Sequence, residues 1–235
     1  LYEEHLDWHK TKAQYFADKL NLLNQSKIKL IGNQALEVSS YQGAEVIPQA
    51  SLLPQNRYLT RQHNAENVAA VLAVLNELGV GATEALPAMQ DYKGLPHRQY
   101  ELGEKNGILY VDDSIATTPQ STNAALDVYK DRIVTLIAGG YDRGIDYGPL
   151  LDTIKAHKIA AVVCLGQSGK RIAALLKDGG ISQVHMACNM AEAVGLSKAH
   201  TQTGGVVLLS PAAPSFGLFT DYQERGKAFA KEAGF

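Results

Sequence analysis

The residues able to do chemistry in this 235-residue sequence stand in short polar clusters, most of them directly behind apolar runs. Asp112-Asp113-Ser114 closes one such run; its carboxylates are suited to accept sugar hydroxyls or order a cation, and equally suited to a plain turn. Gly139-Gly140-Tyr141-Asp142-Arg143-Gly144 carries a guanidinium, whose charge and fork match carboxylate or phosphate, in a glycine-rich loop. Ser210-Pro211-Ala212-Ala213-Pro214-Ser215-Phe216 adds hydroxyls behind another run. Gly166-Gln167-Ser168-Gly169-Lys170 looks like a phosphate loop, but two residues separate its glycines and Arg171 follows the lysine. A phosphate loop has four and then Ser or Thr, so the segment reads as a strand-to-helix turn. No G-x-G-x-x-G follows a strand, which removes the main support for a nicotinamide dehydrogenase. Earlier, Gln62-His63-Asn64-Ala65-Glu66-Asn67 heads an apolar segment, where Asn64 reads as a helix cap and Asn67 as a first-turn residue.

The elements that position these clusters follow from periodicity. Ala13, Tyr15, Phe16, Leu20 and Leu23 recur at helical intervals over Thr11–Leu23. Ile28–Ile31 reads as a short buried strand, and the stretch from Asn33 to Asn56 as strand and loop. Val68, Val71, Leu72, Leu75 and Leu78 form one apolar helical face, ended by Gly79 or Gly81. Lys93-Gly94-Leu95-Pro96 breaks the pattern, and the domain boundary is placed there, giving domains 1–94 and 95–235. Beyond it, Arg98–Gly103 and Ile108–Asp112 flank an Asn106-Gly107 hairpin turn. The apolar runs Ile133–Ala138, Ala160–Leu165 and Val206–Leu209, with a weaker one at Gln183–Met186, alternate with helical patterns around Ser121–Tyr129, Gly148–Ala156, Gly169–Leu176 and Met190–His200. Such alternation predicts an α/β fold with a doubly wound, mostly parallel, Rossmann-like sheet, whose ligands bind where strands give way to loops.

The bulk composition narrows the function. With 46% hydrophobic and 20% charged residues the chain is globular. A net charge of −2 offers no basic field for nucleic acid or an anionic membrane, so neither is an expected partner. Cys164 and Cys188 lack a second cysteine at metal-ligand spacing and are expected as buried free thiols in a reducing compartment. No apolar run is long enough to span a bilayer and no signal segment opens the chain, so a cytoplasmic protein is expected. It is expected to be a monomer.

In order along the chain, H-N-x-x-N at His63–Asn67, G-L-P-H-R at Gly94–Arg98, D-S-x-A-T at Asp113–Thr117 and S-P-A-x-x-S at Ser210–Ser215 resemble the motif series of the Mur ligases. Four motifs in sequence are more specific than any one. Within that family the similarity is greatest to the glutamate-adding ligases of the MurD type, and it runs through essentially the whole chain. The resemblance implies that residues 1–94 are the end of the central ATP-binding domain and that 95–235 are the C-terminal, glutamate-binding domain. It implies nucleotide contacts for Asn64, Asn67, His97, Arg98 and Asp113. His5 matches a magnesium-ligand position, and Lys19 the lysine that becomes carbamylated, turning a cation into an oxygen donor for a hard divalent ion; taken alone, a lysine on a helix is simply solvated. Thr117, Arg143, Ser215, Phe216 and Tyr222 match positions that grip glutamate, whose carboxylates need cations and hydroxyls to replace water. Loop polarity, and helix packing for Tyr222, are the plainer accounts of these five.

What the resemblance implies about function is an ATP-dependent ligase with Mg²⁺, joining glutamate to UDP-N-acetylmuramoyl-L-alanine for peptidoglycan synthesis through an acyl phosphate. D-glutamate is the expected amino acid. Two departures keep L-glutamate open: Ile115 stands where family members often carry Lys, and Arg143 replaces a Lys. A folylpolyglutamate synthase-like ligase and a non-catalytic binding module that keeps the fold compete with this reading. Leu1 opens the chain, and no G-x-x-G-K-[ST] loop precedes His5, so a piece of a longer protein, inactive by itself, is expected.

Overall fold

The computed structural model describes residues 6–49 and 53–235, and the chain divides into two compact units, Leu1–Lys93 and Gly94–Phe235. The first unit contains α1 (Leu6–His9), α2 (Lys12–Gln25), β1 (Leu30–Ile31), α3 (Asn33–Ser39), β2 (Glu45–Val46), α4 (Gln62–Glu77) and α5 (Ala82–Ala88). Thr11 caps α2, its hydroxyl accepting the Gln14 amide at 3.1 Å. β1 and β2 pair in parallel, Leu30 opposite Glu45 and Ile31 opposite Val46.

Three expectations differ in this unit. The buried strand expected at Ile28–Ile31 is only Leu30–Ile31, and Ile28 is exposed. The stretch from Asn33 is expected as strand and loop, yet Asn33–Ser39 is helical; Gln, Ala, Leu and Glu favour helix there, and Ser40 ends it at φ +51°. Asn64 is not the cap of α4. Gln62 and His63 are already helical, Arg61 occupies the cap without a side-chain bond, and the Asn64 amide donates instead to the Tyr58 carbonyl at 2.8 Å. The other end follows the glycine rule: Gly79 takes φ +81° and the Val80 amide reaches back to the Leu75 carbonyl at 2.9 Å.

The second unit contains β3 (Tyr100–Lys105), β4 (Ile108–Asp112), α6 (Pro119–Val128), β5 (Val134–Gly140), α7 (Gly148–Ala156), β6 (Ile159–Leu165), α8 (Gly166–Asp178), β7 (Val184–Ala187), α9 (Met190–His200), β8 (Val206–Leu209) and α10 (Tyr222–Ala233). Its six strands run in the order β3-β4-β8-β5-β6-β7. All neighbours are parallel except the β3–β4 hairpin, whose turn residues Asn106 and Gly107 both have positive φ. The expected doubly wound, mostly parallel sheet is therefore present.

Alternation along each strand feeds two cores. Leu109, Val111, Leu136, Val162 and Leu208 pack with Leu126, Leu150, Ile154, Ile172 and Leu176, from α6, α7 and α8, on one side. Ile108, Tyr110, Ile137, Val163 and Leu209 pack with Val194 and Phe229, from α9 and α10, on the other. Both cysteines are free; Cys164 is buried, its thiol pushed up to about 12 by burial, whereas Cys188 is exposed rather than buried. It lies between β7 and α9, outside both cores.

Candidate functional site

The register aligns the carboxyl ends of β4, β8 and β5: Asp112 lies opposite Leu209, and Leu209 opposite Ile137. The ladder continues into the loops. The Asp113 amide donates to Leu209 O at 2.8 Å, Gly139 to Pro211 O at 2.7 Å and Tyr141 to Pro214 O at 2.9 Å. A Cβ on Gly140 would stand 2.1 Å from Pro214 O, so only glycine permits this approach. Three loops bearing Thr117, Arg143 and Ser215 are thus joined by backbone at the carboxyl ends of neighbouring interior strands.

Beneath them lies a buried polar network. Asp112 Oδ2 meets His97 Nδ1 at 2.7 Å, and Asp112 Oδ1 accepts the Ser114 amide at 3.0 Å. Asp113, 3% exposed, accepts the Gln99 amide at 3.1 Å and the Ser210 hydroxyl at 2.7 Å. Burial pushes Asp113 up to about 7 despite these donors, and raises Asp112 as well. Arg225, 2% exposed, donates through Nε to Ser114 Oγ at 3.0 Å, Nη2 to Ser114 O at 2.6 Å and Nη1 to Ala213 O at 3.0 Å. Ser114 Oγ in turn donates to Tyr222 O at 2.8 Å. Burial lowers Arg225 to about 10.

A second clamp holds the glycine-rich loop. Arg171, on α8, donates to Asp142 Oδ1 at 2.6 Å and to Ile145 O at 3.1 Å, and the Gly144 amide also donates to Asp142 Oδ1 at 2.9 Å. The Asp142 carboxyl is slightly desolvated, which would raise it, but the Gly144 amide and Arg171 outweigh this and lower it. Between these anchors the exposed Arg143 is presented to solvent.

Residues 97–213 match the family model described as Mur ligase, glutamate ligase domain. A UDP-N-acetylmuramoyl-L-alanine–L-glutamate ligase of Xanthomonas euvesicatoria pv. vesicatoria (strain 85-10) is 37% identical over 265 aligned residues that cover 100% of this chain and 56% of the relative. The chain belongs to the Mur ligase family. Relatives of the same description come from Xylella fastidiosa (strain 9a5c), 37% identical with the same coverage, and Salinispora tropica, 34% identical over 98% of the chain and 58% of the relative. The chain spans about half the length of the curated relatives it matches, 56% for the first of them. The crystal structure of UDP-N-acetylmuramate-alanine ligase MurC from Thermotoga maritima superposes with a TM-score of 0.70 at 18% identity, covering 98% of this chain and 57% of that one. MurF ligase from the same organism, in complex with ADP, gives 0.67 at 16% identity, covering 97% and 59%. At these identities both comparisons show the fold.

In this Mur ligase chain the residues expected to grip glutamate fall on neighbouring loops of the second unit. Thr117 is half-buried just before the Thr118 cap of α6, Ser215 is buried, and Phe216 is exposed. Tyr222 begins α10, and its ring packs edge-on against His97, with centroids 5.8 Å apart. His97 is also held by Asp112, while Arg98 beside it is exposed. Asn64, Asn67 and Lys19 belong to the first unit. The Asn67 amide donates to Asn64 Oδ1 at 3.1 Å, and Asn67 lines a mostly apolar cavity of about 460 Å³ with Leu59, Val68, Val71 and Tyr92. Lys19 is exposed on α2, its ammonium 5.6 Å from the Tyr15 ring centroid. His5 lies outside the described residues. Among the described residues no three His, Cys, Asp or Glu side chains gather as a metal site.

Arg225 belongs to none of the motifs, and the bracing roles of Arg171 and Ser210, both visible beside or within motifs, appear only in the fold. A signal for Arg225 does exist. Tyr222, Arg225, Phe229 and Ala233 share one helical face, and an arginine on an apolar face must find buried partners. The start of α10 carries a signal too: Asp221 caps the Glu224 amide at 2.7 Å, while Glu224 accepts the amide of Thr220, the residue before the cap, at 2.6 Å, a variant of the capping box.

Proposed function

We propose that the full-length protein joins L-glutamate to UDP-N-acetylmuramoyl-L-alanine with ATP, and that this chain supplies the glutamate-side loops. In this reading residues 1–94 are the end of an ATP-binding central domain and 95–235 the glutamate-binding domain. The observation that carries it is identity of 34–37% with L-glutamate ligases along 98–100% of the chain. L- is proposed rather than the D-enantiomer that the resemblance implies, and the L-glutamate names of those relatives support this choice. The departures at Ile115 and Arg143 are consistent with an altered pose for the amino acid. A cytoplasmic enzyme belongs to the same reading; no helix among the described residues is long and apolar enough to cross a membrane.

The reaction has two steps. The alanyl carboxylate takes the γ-phosphoryl group as ADP leaves; the glutamate amine then attacks the acyl carbon, loses a proton, and inorganic phosphate departs. Arg143 pairs with a glutamate carboxylate, and Thr117 and Ser215 donate hydroxyl hydrogen bonds, replacing the water that the carboxylates give up. Asn64, Asn67, His97 and Arg98 are assigned to the nucleotide, whereas Asp113, expected there too, is buried with its oxygens taken by the Gln99 amide and the Ser210 hydroxyl and braces the loop instead. Lys19 and His5 are assigned to the phosphoryl-transfer side.

The test is an assay of the full-length protein with ATP, UDP-N-acetylmuramoyl-L-alanine and each glutamate enantiomer, followed by chiral analysis of the product. Phosphate release with L-glutamate and an L-glutamyl product are expected. Turnover with D-glutamate alone, or with a folate in place of the nucleotide substrate, overturns the reading.

A further inference from the structure

Two aromatic side chains stand in solvent on the loops that carry the glutamate-side residues. Tyr141 is 44% exposed and Phe216 58%. Their rings meet edge to face, with centroids 6.4 Å apart and planes at 79°. Each belongs to a different loop: Tyr141 lies two residues before Arg143, and Phe216 directly follows Ser215. The bond from the Tyr141 amide to Pro214 O, at 2.9 Å, and the close approach of Gly140 to Pro214 O fix the two loops against each other. Backbone fixes the two loops against each other, and the rings they carry meet edge to face while remaining largely exposed. Exposed apolar ring surface next to polar binding candidates is suited to cover the apolar part of a ligand.

Glutamate presents two kinds of surface. Its charged groups find Arg143, Thr117 and Ser215, but its methylenes need apolar cover that this polar set does not supply. We propose that Tyr141 joins Phe216, which the family resemblance already gives to the glutamate site, in an aromatic wall over the methylene chain of the bound glutamate, which makes Tyr141 a specificity-determining residue. This inference rests on the function proposed above. Each methylene covered by apolar surface changes affinity about fourfold, so losing half of the wall from a two-methylene chain corresponds to about fourfold.

The test compares Tyr141→Ala and Tyr141→Phe with wild type in the full-length protein, measuring the KM for L-glutamate and for ATP separately. Tyr141→Ala is expected to raise the glutamate KM about fourfold and to leave the ATP KM within about twofold, while Tyr141→Phe, which keeps the ring, stays near wild type. Because the side chain is exposed, both variants are expected to keep the wild-type melting temperature. A glutamate KM within about twofold of wild type in Tyr141→Ala, or an equal rise in both KM values, overturns the wall while leaving the ligase reading intact. A wild-type protein that turns over neither glutamate enantiomer overturns the ligase reading and the wall with it.

Discussion

Arg225 holds Ser114 by two of its atoms, the hydroxyl at 3.0 Å and the carbonyl at 2.6 Å, and its remaining terminal nitrogen reaches Ala213 O at 3.0 Å. One buried guanidinium therefore joins α10 to the loop after β4 and the loop after β8. The planar fork suits this task in a way a point charge does not. Arg225→Met removes all three donors and leaves the Ser114 and Ala213 carbonyls buried without them. At about 1–3 kcal/mol for each buried group left unsatisfied, a loss of about 3 kcal/mol is expected, or roughly 10 °C in Tm by calorimetry. Arg225→Lys restores at most part of this. A melting temperature for Arg225→Met within a degree or two of wild type would show that the clamp does not stabilise the unit.

Asp113 makes the stability of the second unit pH-dependent. Its folded pKa, about 7, lies above the ordinary value of 3.8, because burial disfavours the charged form more than Ser210 and Gln99 favour it. The folded state thus binds the proton more tightly than the unfolded state. This contribution is fully present below about pH 4, declines from there as pH rises, and is lost above the folded value of about 7. Asp113→Asn removes the titration while keeping an acceptor for the Gln99 amide and a donor towards Ser210. The difference in Tm between wild type and Asp113→Asn, measured from pH 5 to 8, is expected to move in favour of the variant as pH rises and to level off above 7. A difference that stays constant across this range would refute the assignment.

The legible parts of this fold are those set by neighbouring residues. Runs such as Ile133–Ala138 and Val206–Leu209 are apolar on almost every position, so they specify buried strands, and the polar residues behind them must fall at strand ends. Asn106-Gly107 declares its turn because few residue pairs accept positive φ twice. Seven residues of α3 are too few for a helical period to emerge against the surrounding Gly, Pro and Ser. Arg225 and Ser114 are 111 positions apart, and their contact exists only once α10 has packed on the sheet. Arg171, which spoils the phosphate-loop pattern after Lys170, finds its partner Asp142 29 positions upstream. Spacing along the chain identifies the loops; the cations that brace them are defined by tertiary structure.

Arg143 and Arg171 provide the last prediction, because one is expected to bind and the other to position. Arg143 is exposed at the loop tip, whereas Arg171 holds that loop through Asp142 and the Ile145 carbonyl. If Arg143 anchors a glutamate carboxylate, Arg143→Ala in the full-length protein raises the KM for glutamate by about 10- to 100-fold, the scale of a charge-assisted hydrogen bond, with little change for ATP. Arg171→Ala leaves that anchor in place but frees the loop that presents it, so a smaller rise of severalfold in the same constant is expected. The double variant should then lose little beyond Arg143→Ala alone, because a loop without its cation has nothing left to present. Steady-state kinetics on the four proteins with glutamate and ATP varied in turn decide it. Equal effects of Arg143→Ala on both substrates would remove Arg143 from the glutamate site, and fully multiplicative losses in the double variant would show that Arg171 acts independently of it.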